Sequence, residues 1–229
     1  QDNMAVISAP NANDGVGMVH TFLRSSNGDW SEEETLSTPS PGEGRGFGGK
    51  LALDDTTLLV GSANENGEAA SVFAFRRDPV AGKWHAAGEL IAESLPERSG
   101  YGAVLGVSGD LAFIGAAGMN NRTGLVFVFE HKDDEWSIQT RLGPLIADLN
   151  ASFGSSLAFD GSDVLVGAPG STNGLGALYR FHRNGSGQWI GSDCLWFRLR
   201  PRGTESPHPR GRWPRTSRPP AFSPASCNG

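Results

Sequence analysis

The chain has 229 residues, of which 38% are hydrophobic and 19% charged, and its formal net charge is −6. This balance is typical of a folded globular protein and excludes a disordered chain. No run of roughly 18 apolar residues occurs, so no membrane-spanning helix is predicted, and the 32 glycines indicate many turns.

Four landmarks recur along the chain on a nearly fixed spacing. A small-residue stretch begins 14 residues after each aromatic-Gly pair, a Phe follows 14 residues later, and a Trp comes seven to nine residues after that Phe. An incomplete first copy begins at its small-residue stretch. The landmarks are the small stretches at Ser8, Gly61, Gly115 and Gly167, the pairs at Phe47, Tyr101 and Phe153, then Phe22, Phe75, Phe129 and Phe181, and Trp30, Trp84, Trp136 and Trp189.

The last copy shows what one repeat predicts. Residues Ser156–Phe159 and Val164–Val166 are two short apolar runs on either side of an Asp-Gly pair, which favours a hairpin. Pro169 ends the second run because it lacks an amide hydrogen for a further ladder bond. Ala177–Phe181 forms a third run, and Trp189 begins a fourth. A repeated four-stranded antiparallel unit predicts β-propeller blades, with a sandwich or a β-solenoid as alternatives.

The predicted fold class is therefore all-β, with about three and a half four-stranded blades and no closed seven-bladed ring. Large Phe and Trp side chains are expected to pack between blades, and the small residues to lie where strands crowd near an axis. The predicted domain covers residues 1–197, with repeat units at about 1–46, 47–100, 101–152 and 153–197.

The tail at 198–229 differs from the repeats. Residues 191–229 contain seven Arg, no Lys and two acidic residues, and the aromatic-Gly pair due at 206–207 is Ser-Pro. Such a tail could bind nucleic acid or an acidic membrane, could be a disordered Pro-rich linker, or could be out-of-frame translation. The abrupt break within a repeat favours the third interpretation, and no nucleic-acid partner is predicted.

The repeat as a whole resembles the FG-GAP repeat of integrin α subunits and of many bacterial surface or secreted proteins. The resemblance rests on Phe-Gly-x-Ser-Leu-Ala, Val-Gly-Ala-Pro, Leu-Tyr-x-Phe and Trp in phase, and it covers roughly residues 4–195. It implies a non-enzymatic, extracellular or cell-surface binding or adhesion module with a protein or glycan ligand. Further blades or a second chain could pair with it. An accessory or lectin-like domain of a secreted hydrolase is the alternative.

No metal, cofactor or catalytic residue is predicted. Integrin blades carry an Asp-rich calcium loop between the first two strands, but the turns here offer at most two carboxylates each, whereas calcium needs six to eight oxygens. Residues 44–49 match G-x-G-x-x-G, yet a strand follows them where a dinucleotide site needs a helix.

Binding residues are expected in the loops of one propeller face, because loops on a rigid scaffold commonly carry function. These are the loops between the second and third strands and those between blades. The candidates are Asn13, Asp14, Glu43, Arg45, Glu65, Asn66, Glu68, Glu97, Arg98, Asn120, Asn121, Arg122, Asp148 and Asn173.

Overall fold

A computed structural model describes residues 3–40, 45–63, 69–146, 148–160 and 162–196. The described residues form four antiparallel sheets, which we number as blades 1 to 4. No helix among them is long and apolar enough to cross a membrane. The predicted tail at 198–229 lies outside the described residues, and the predicted domain boundaries stay a prediction.

Blade 1 has three strands and the other blades have four, each strand pairing with its neighbour in sequence. Blade 1 contains β1 (Met4–Ala9), β2 (Met18–Arg24) and β3 (Trp30–Leu36). Blade 2 contains β4 (Arg45–Leu53), β5 (Thr57–Ala63), β6 (Ala69–Arg77) and β7 (Trp84–Glu89). Blade 3 contains β8 (Tyr101–Ser108), β9 (Leu111–Ala116), β10 (Leu125–Lys132) and β11 (Glu135–Leu142). Blade 4 contains β12 (Ser156–Asp160), β13 (Asp163–Ala168), β14 (Ala177–Arg183) and β15 (Trp189–Trp196).

This arrangement confirms the predicted fold class, including the four strands expected in the last repeat. The β12–β13 hairpin pairs Asp160 with Asp163 as the Asp-Gly turn predicts, and β13 ends at Ala168, just before Pro169. The first strands of blades 2 to 4 are β4, β8 and β12; β4 contacts β8 and β8 contacts β12, so these strands form the inner wall of the blade array. The small residues of β1 align with those of β5, so blade 1 lacks the equivalent of this inner strand among its described residues.

Each boundary between two blades, here called a seam, joins an apolar face of one blade to an apolar face of the next. We call the face of a blade toward the preceding blade its leading face and the other its trailing face. At the seam between blades 2 and 3, the leading face supplies Tyr101 and Phe127, and the trailing face supplies Leu59, Val72 and Ala74. All five are buried, so the predicted packing of aromatic residues between blades is confirmed. Burying this apolar area stabilises the array by about 25 cal/mol per Å².

The loops between second and third strands share one conformation. The short turns α1 (Ala12–Gly15), α2 (Met119–Arg122) and α3 (Ser171–Gly174) each contain three consecutive residues at positive φ. Asn, Asp and Gly occupy seven of these nine positions, since they tolerate the left-handed region. Arg122 and Thr172 are the exceptions, and the buried hydroxyl of Thr172, at φ 56, has no hydrogen-bond partner.

Backbone approaches backbone where these loops meet the next blade. The Phe153 amide donates to the Thr123 carbonyl at 2.9 Å, and the Phe47 amide donates to Val16 at the same distance. Gly124 follows Thr123 at φ +86, and a Cβ at this position would overlap the backbone of Phe153. Gly17 has the same relation to Phe47. Glycine is therefore required here for close approach as well as for its φ.

Comparing alanine substitutions at two glycines separates the requirement for close approach from the requirement for positive φ. We expect Gly124→Ala to lower the free energy of unfolding by about 3 kcal/mol, because it adds both left-handed strain and overlap across the seam. Gly174→Ala is the matched control, with φ +85 and nothing within 4 Å of its added Cβ. It should cost about 1 kcal/mol, from strain alone. Urea unfolding of both variants measures the difference, and equal losses would contradict the proposed contact.

Candidate functional site

Most of the residues predicted to bind a ligand are exposed at one end of the blades. We call this end the loop face; it carries the loops between second and third strands and those between blades. The exposed candidates are Asn13, Asp14, Glu97, Arg98, Asn120, Asn121, Arg122 and Asn173. Arg45 is the first residue of β4, while Glu43, Glu65, Asn66 and Glu68 lie outside the described residues.

Asp148 is a loop-face candidate whose carboxylate has a structural role. The Asp148 carboxylate accepts a hydrogen bond from the Thr172 amide at 2.6 Å and is partly buried. This bond joins the link between blades 3 and 4 to the strained turn of blade 4. Asp148 thus holds a loop in place, and the ligand-binding role of the whole set stays a prediction.

A polar cleft of about 630 Å³ lies at the opposite end, between blades 3 and 4. We call this end the turn face; it carries the turns between first and second strands and between third and fourth strands. The cleft is lined by Ser108, Asp110, Leu111, Glu130, Ser162, Arg183, Asn184, Gly185 and Gly187.

An ion pair between blades crosses this cleft. The Arg183 Nη2 donates to Glu130 Oε1 at 2.8 Å, and both side chains are about one third exposed. The Arg183 backbone is held by a bond from its amide to the Ser162 carbonyl, and its Nε donates to Gly187 at 3.3 Å. The Gln139 amide lies 3.4 Å from Glu130 Oε2. A guanidinium and a carboxylate are therefore fixed side by side while still open to solvent.

A second cleft, of about 450 Å³, lies on the turn face between blades 2 and 3. Arg76 lines it and donates to Asp110 Oδ1 at 2.9 Å, and His131 Nδ1 lies 3.8 Å from the same oxygen. Asp110 lines the first cleft, so its bond to Arg76 connects a residue of one cleft to a residue of the other. Among the described residues, no group of three or more His, Cys, Asp or Glu side chains could hold a metal ion.

Sequence reasoning missed the turn face, although a signal for it exists. Each repeated Phe of blades 2 to 4 is followed by two charged or ionisable residues, which read Arg-Arg, Glu-His and His-Arg. These residues lie at or near the end of the third strand, and all of them except His182 line one of the two clefts. The repeated Phe fixes their position, so reading the two positions after it would have located the clefts.

The tryptophans of the seams differ in their hydrogen bonding. The Trp189 indole Nε1 donates to Gln139 of the preceding blade at 3.1 Å. The buried Nε1 of Trp136 has no partner. The position in blade 2 that corresponds to Gln139 is Ala87, three residues after its own Trp, so no acceptor is available there.

Comparison with known proteins finds solved structures that share this fold. No protein-family model matches the chain, and no curated protein matches it. A solved protein from Lactobacillus plantarum shares the fold at 15% identity and a TM-score of 0.52, over 83% of this chain and 54% of that one. The periplasmic gluconolactonase of Pseudomonas aeruginosa shares it at 15% identity and a TM-score of 0.57, over 89% and 56%. A putative 6-phosphogluconolactonase from Bacteroides uniformis gives 12% identity and 0.44, over 85% and 69%. The chain spans just over half the length of the first two.

These findings correct the predicted family and function. The structural neighbours are gluconolactonase-type propellers and not integrin FG-GAP proteins, so the FG-GAP assignment is wrong. The predictions of a non-enzymatic adhesion or binding module, and of an accessory or lectin-like domain, are contradicted too, because the named neighbour is an enzyme. The Phe, Gly and Trp landmarks gave the wrong family because these residues pack the seams, and blades of different families need the same packing. The extracellular location stays a prediction.

Ala87→Gln should supply the missing acceptor for the Trp136 indole. A buried donor without a partner costs about 1–3 kcal/mol, so we expect the free energy of unfolding to rise by about 1 kcal/mol. Ala86→Gln is the matched control, since Ala86 is exposed and adjacent in the same strand. Thermal or urea unfolding measures both variants. An Ala87→Gln protein no more stable than the control would contradict the equivalence of positions 87 and 139.

Proposed function

We propose that this protein hydrolyses a sugar lactone in the turn-face cleft between blades 3 and 4. The observation that carries the proposal is the Glu130–Arg183 pair, exposed in a polar cleft of a fold that a gluconolactonase shares. The neighbour's name supplies the class of reaction. The four blades correspond to just over half of that enzyme, so the proposal concerns the chemistry that these blades carry.

The lining of the cleft suits a small hydroxyl-rich molecule. Ser108, Ser162 and Asn184 offer neutral donors and acceptors, and Asp110 offers a further acceptor. The volume of about 630 Å³ lies within the usual range for small-molecule sites. A sugar lactone presents several hydroxyl groups and one ester carbonyl, which match this mixture of polar side chains.

The ion pair provides the two groups that lactone hydrolysis needs. Glu130 removes a proton from a water molecule as the water oxygen bonds to the carbonyl carbon. The carbonyl oxygen becomes an oxyanion, which the Arg183 guanidinium stabilises through its hydrogen-bond donors. The ring C–O bond then breaks, and the leaving ring oxygen takes the proton from Glu130. The product is the open hydroxy acid.

Glu130→Gln tests this mechanism directly. The amide keeps an oxygen that can accept from Arg183 but cannot remove a proton, so kcat for gluconolactone should fall about 100-fold. Acid release in weak buffer measures the rate, with the spontaneous hydrolysis of the lactone subtracted. No acceleration by the unaltered protein would overturn the proposed function.

Arg183→Lys tests the second group, and Arg24→Lys is its control. Arg24 occupies the same repeat position in blade 1, and its Nε also donates to a turn carbonyl, that of Gly28, at 3.2 Å. The two substitutions should therefore affect the turns alike, and only Arg183→Lys should lower kcat. Equal activity in the two variants would remove Arg183 from the mechanism.

A further inference from the structure

Asp110 is a carboxylate of the cleft between blades 3 and 4 that the hydrolytic step does not use. It lies in the turn that joins β8 to β9, its side chain is 63% exposed, and it lines the cleft together with Glu130 and Arg183. The next residue, Leu111, pairs with Glu130 in the ladder between β9 and β10. The Asp110 carbonyl also accepts the amide of His131 at 2.8 Å. The backbone of Asp110 is therefore fixed next to the proposed general base.

The carboxylate of Asp110 is held from the side of blade 2. The Arg76 Nη1 donates to Asp110 Oδ1 at 2.9 Å, and it donates to the Thr57 hydroxyl of its own blade at 3.2 Å. His131 Nδ1 lies 3.8 Å from the same carboxylate oxygen. Among the described residues, Asp110 Oδ2 has no partner, so this oxygen is available to accept a hydrogen bond from a bound molecule.

The blade fold does not require a carboxylate at this turn. The ladders between second and third strands align Asp110 with Thr56 of blade 2 and Ser162 of blade 4, and neither of these residues is charged. An ion pair as exposed as that of Arg76 and Asp110 adds little to stability. The effect of this pair is to hold a charged acceptor in place at the cleft.

A charged acceptor at the cleft favours a ligand that carries hydroxyl groups. A hydrogen bond from a hydroxyl group to a carboxylate is roughly twice as strong as one to a neutral acceptor. The ring of gluconolactone carries several hydroxyl groups, whereas the ring of δ-valerolactone carries none. Both compounds contain the ester carbonyl on which Glu130 and Arg183 act. The cleft therefore distinguishes the two lactones only through residues that contact the hydroxyl groups.

We propose that Asp110 accepts a hydrogen bond from a ring hydroxyl of the lactone and so selects hydroxylated lactones over unsubstituted ones. Arg76 is its positioning residue, because it holds Oδ1 and leaves Oδ2 for the substrate. This inference rests on the proposed function and adds the class of lactone that the cleft accepts. Asp110 acts on the binding and orientation of the substrate and takes no proton from it.

The selection is measured by the ratio of kcat/KM for gluconolactone to kcat/KM for δ-valerolactone, with spontaneous hydrolysis subtracted from each rate. Removing a hydrogen bond to a charged group costs about 10- to 100-fold, so Asp110→Ala should lower the ratio by that factor. Asp134→Ala is the matched control, since Asp134 is an exposed carboxylate of the same blade that lines the second cleft. It should leave the ratio unchanged. An unchanged ratio in Asp110→Ala would overturn the inference.

Two arginine substitutions test the positioning role. Arg76→Met removes the donor that holds the carboxylate, so it should lower the ratio, although by less than Asp110→Ala does. Arg77→Met is the control, because Arg77 lines the same second cleft but pairs with Glu33 of blade 1. A smaller folded fraction lowers both rates alike and does not change the ratio. An unchanged ratio in Arg76→Met would overturn the positioning role of Arg76.

Binding of a sugar ring without a carbonyl tests Asp110 apart from the chemistry. The probe is anhydroglucitol, a cyclic polyol with ring hydroxyl groups, titrated into isotopically labelled protein and followed by NMR. Its dissociation constant should increase about tenfold or more in Asp110→Ala and stay unchanged in Asp134→Ala. Equal binding to the two variants would overturn the role of Asp110. Binding that depends on Asp110, without hydrolysis of either lactone, would overturn the proposed function and leave hydroxyl recognition standing.

Discussion

The close approach of two backbones, seen across the seam of blades 1 and 2 and that of blades 3 and 4, is the constraint on which the structure depends. At the seam of blades 3 and 4, the Phe153 amide reaches the Thr123 carbonyl, and Gly124 leaves no side chain between the two chains. The same contact recurs between Phe47 and Val16. A hydrogen bond of this kind requires the loop of one blade and the inner strand of the next to meet at a fixed point.

The turn face is free of that constraint. The step from Phe to Trp varies between seven and nine residues, and all of this variation falls in the turns between third and fourth strands. Side chains that end the third strands are nevertheless fixed in place, because the repeated Phe beside them is held in the seam. Glu130 and Arg183 therefore combine rigid placement with access to solvent. That combination suits a reactive pair better than the exposed loops at the other end, where Asp148 is engaged in holding a turn.

The sequence was sufficient to predict the fold because the same pattern of residues occurs in each repeat. Four tryptophans occupy the same repeat position, which indicates that a fourth strand begins there even where the β-propensity of the single segment is weak. The site was not predicted, since its two halves come from different blades. Glu130 and Arg183 are 53 residues apart, and their contact depends on how one blade packs against the next. The family was wrong for a related reason: the landmarks describe seam packing, whereas function lies in the variable residues beside them.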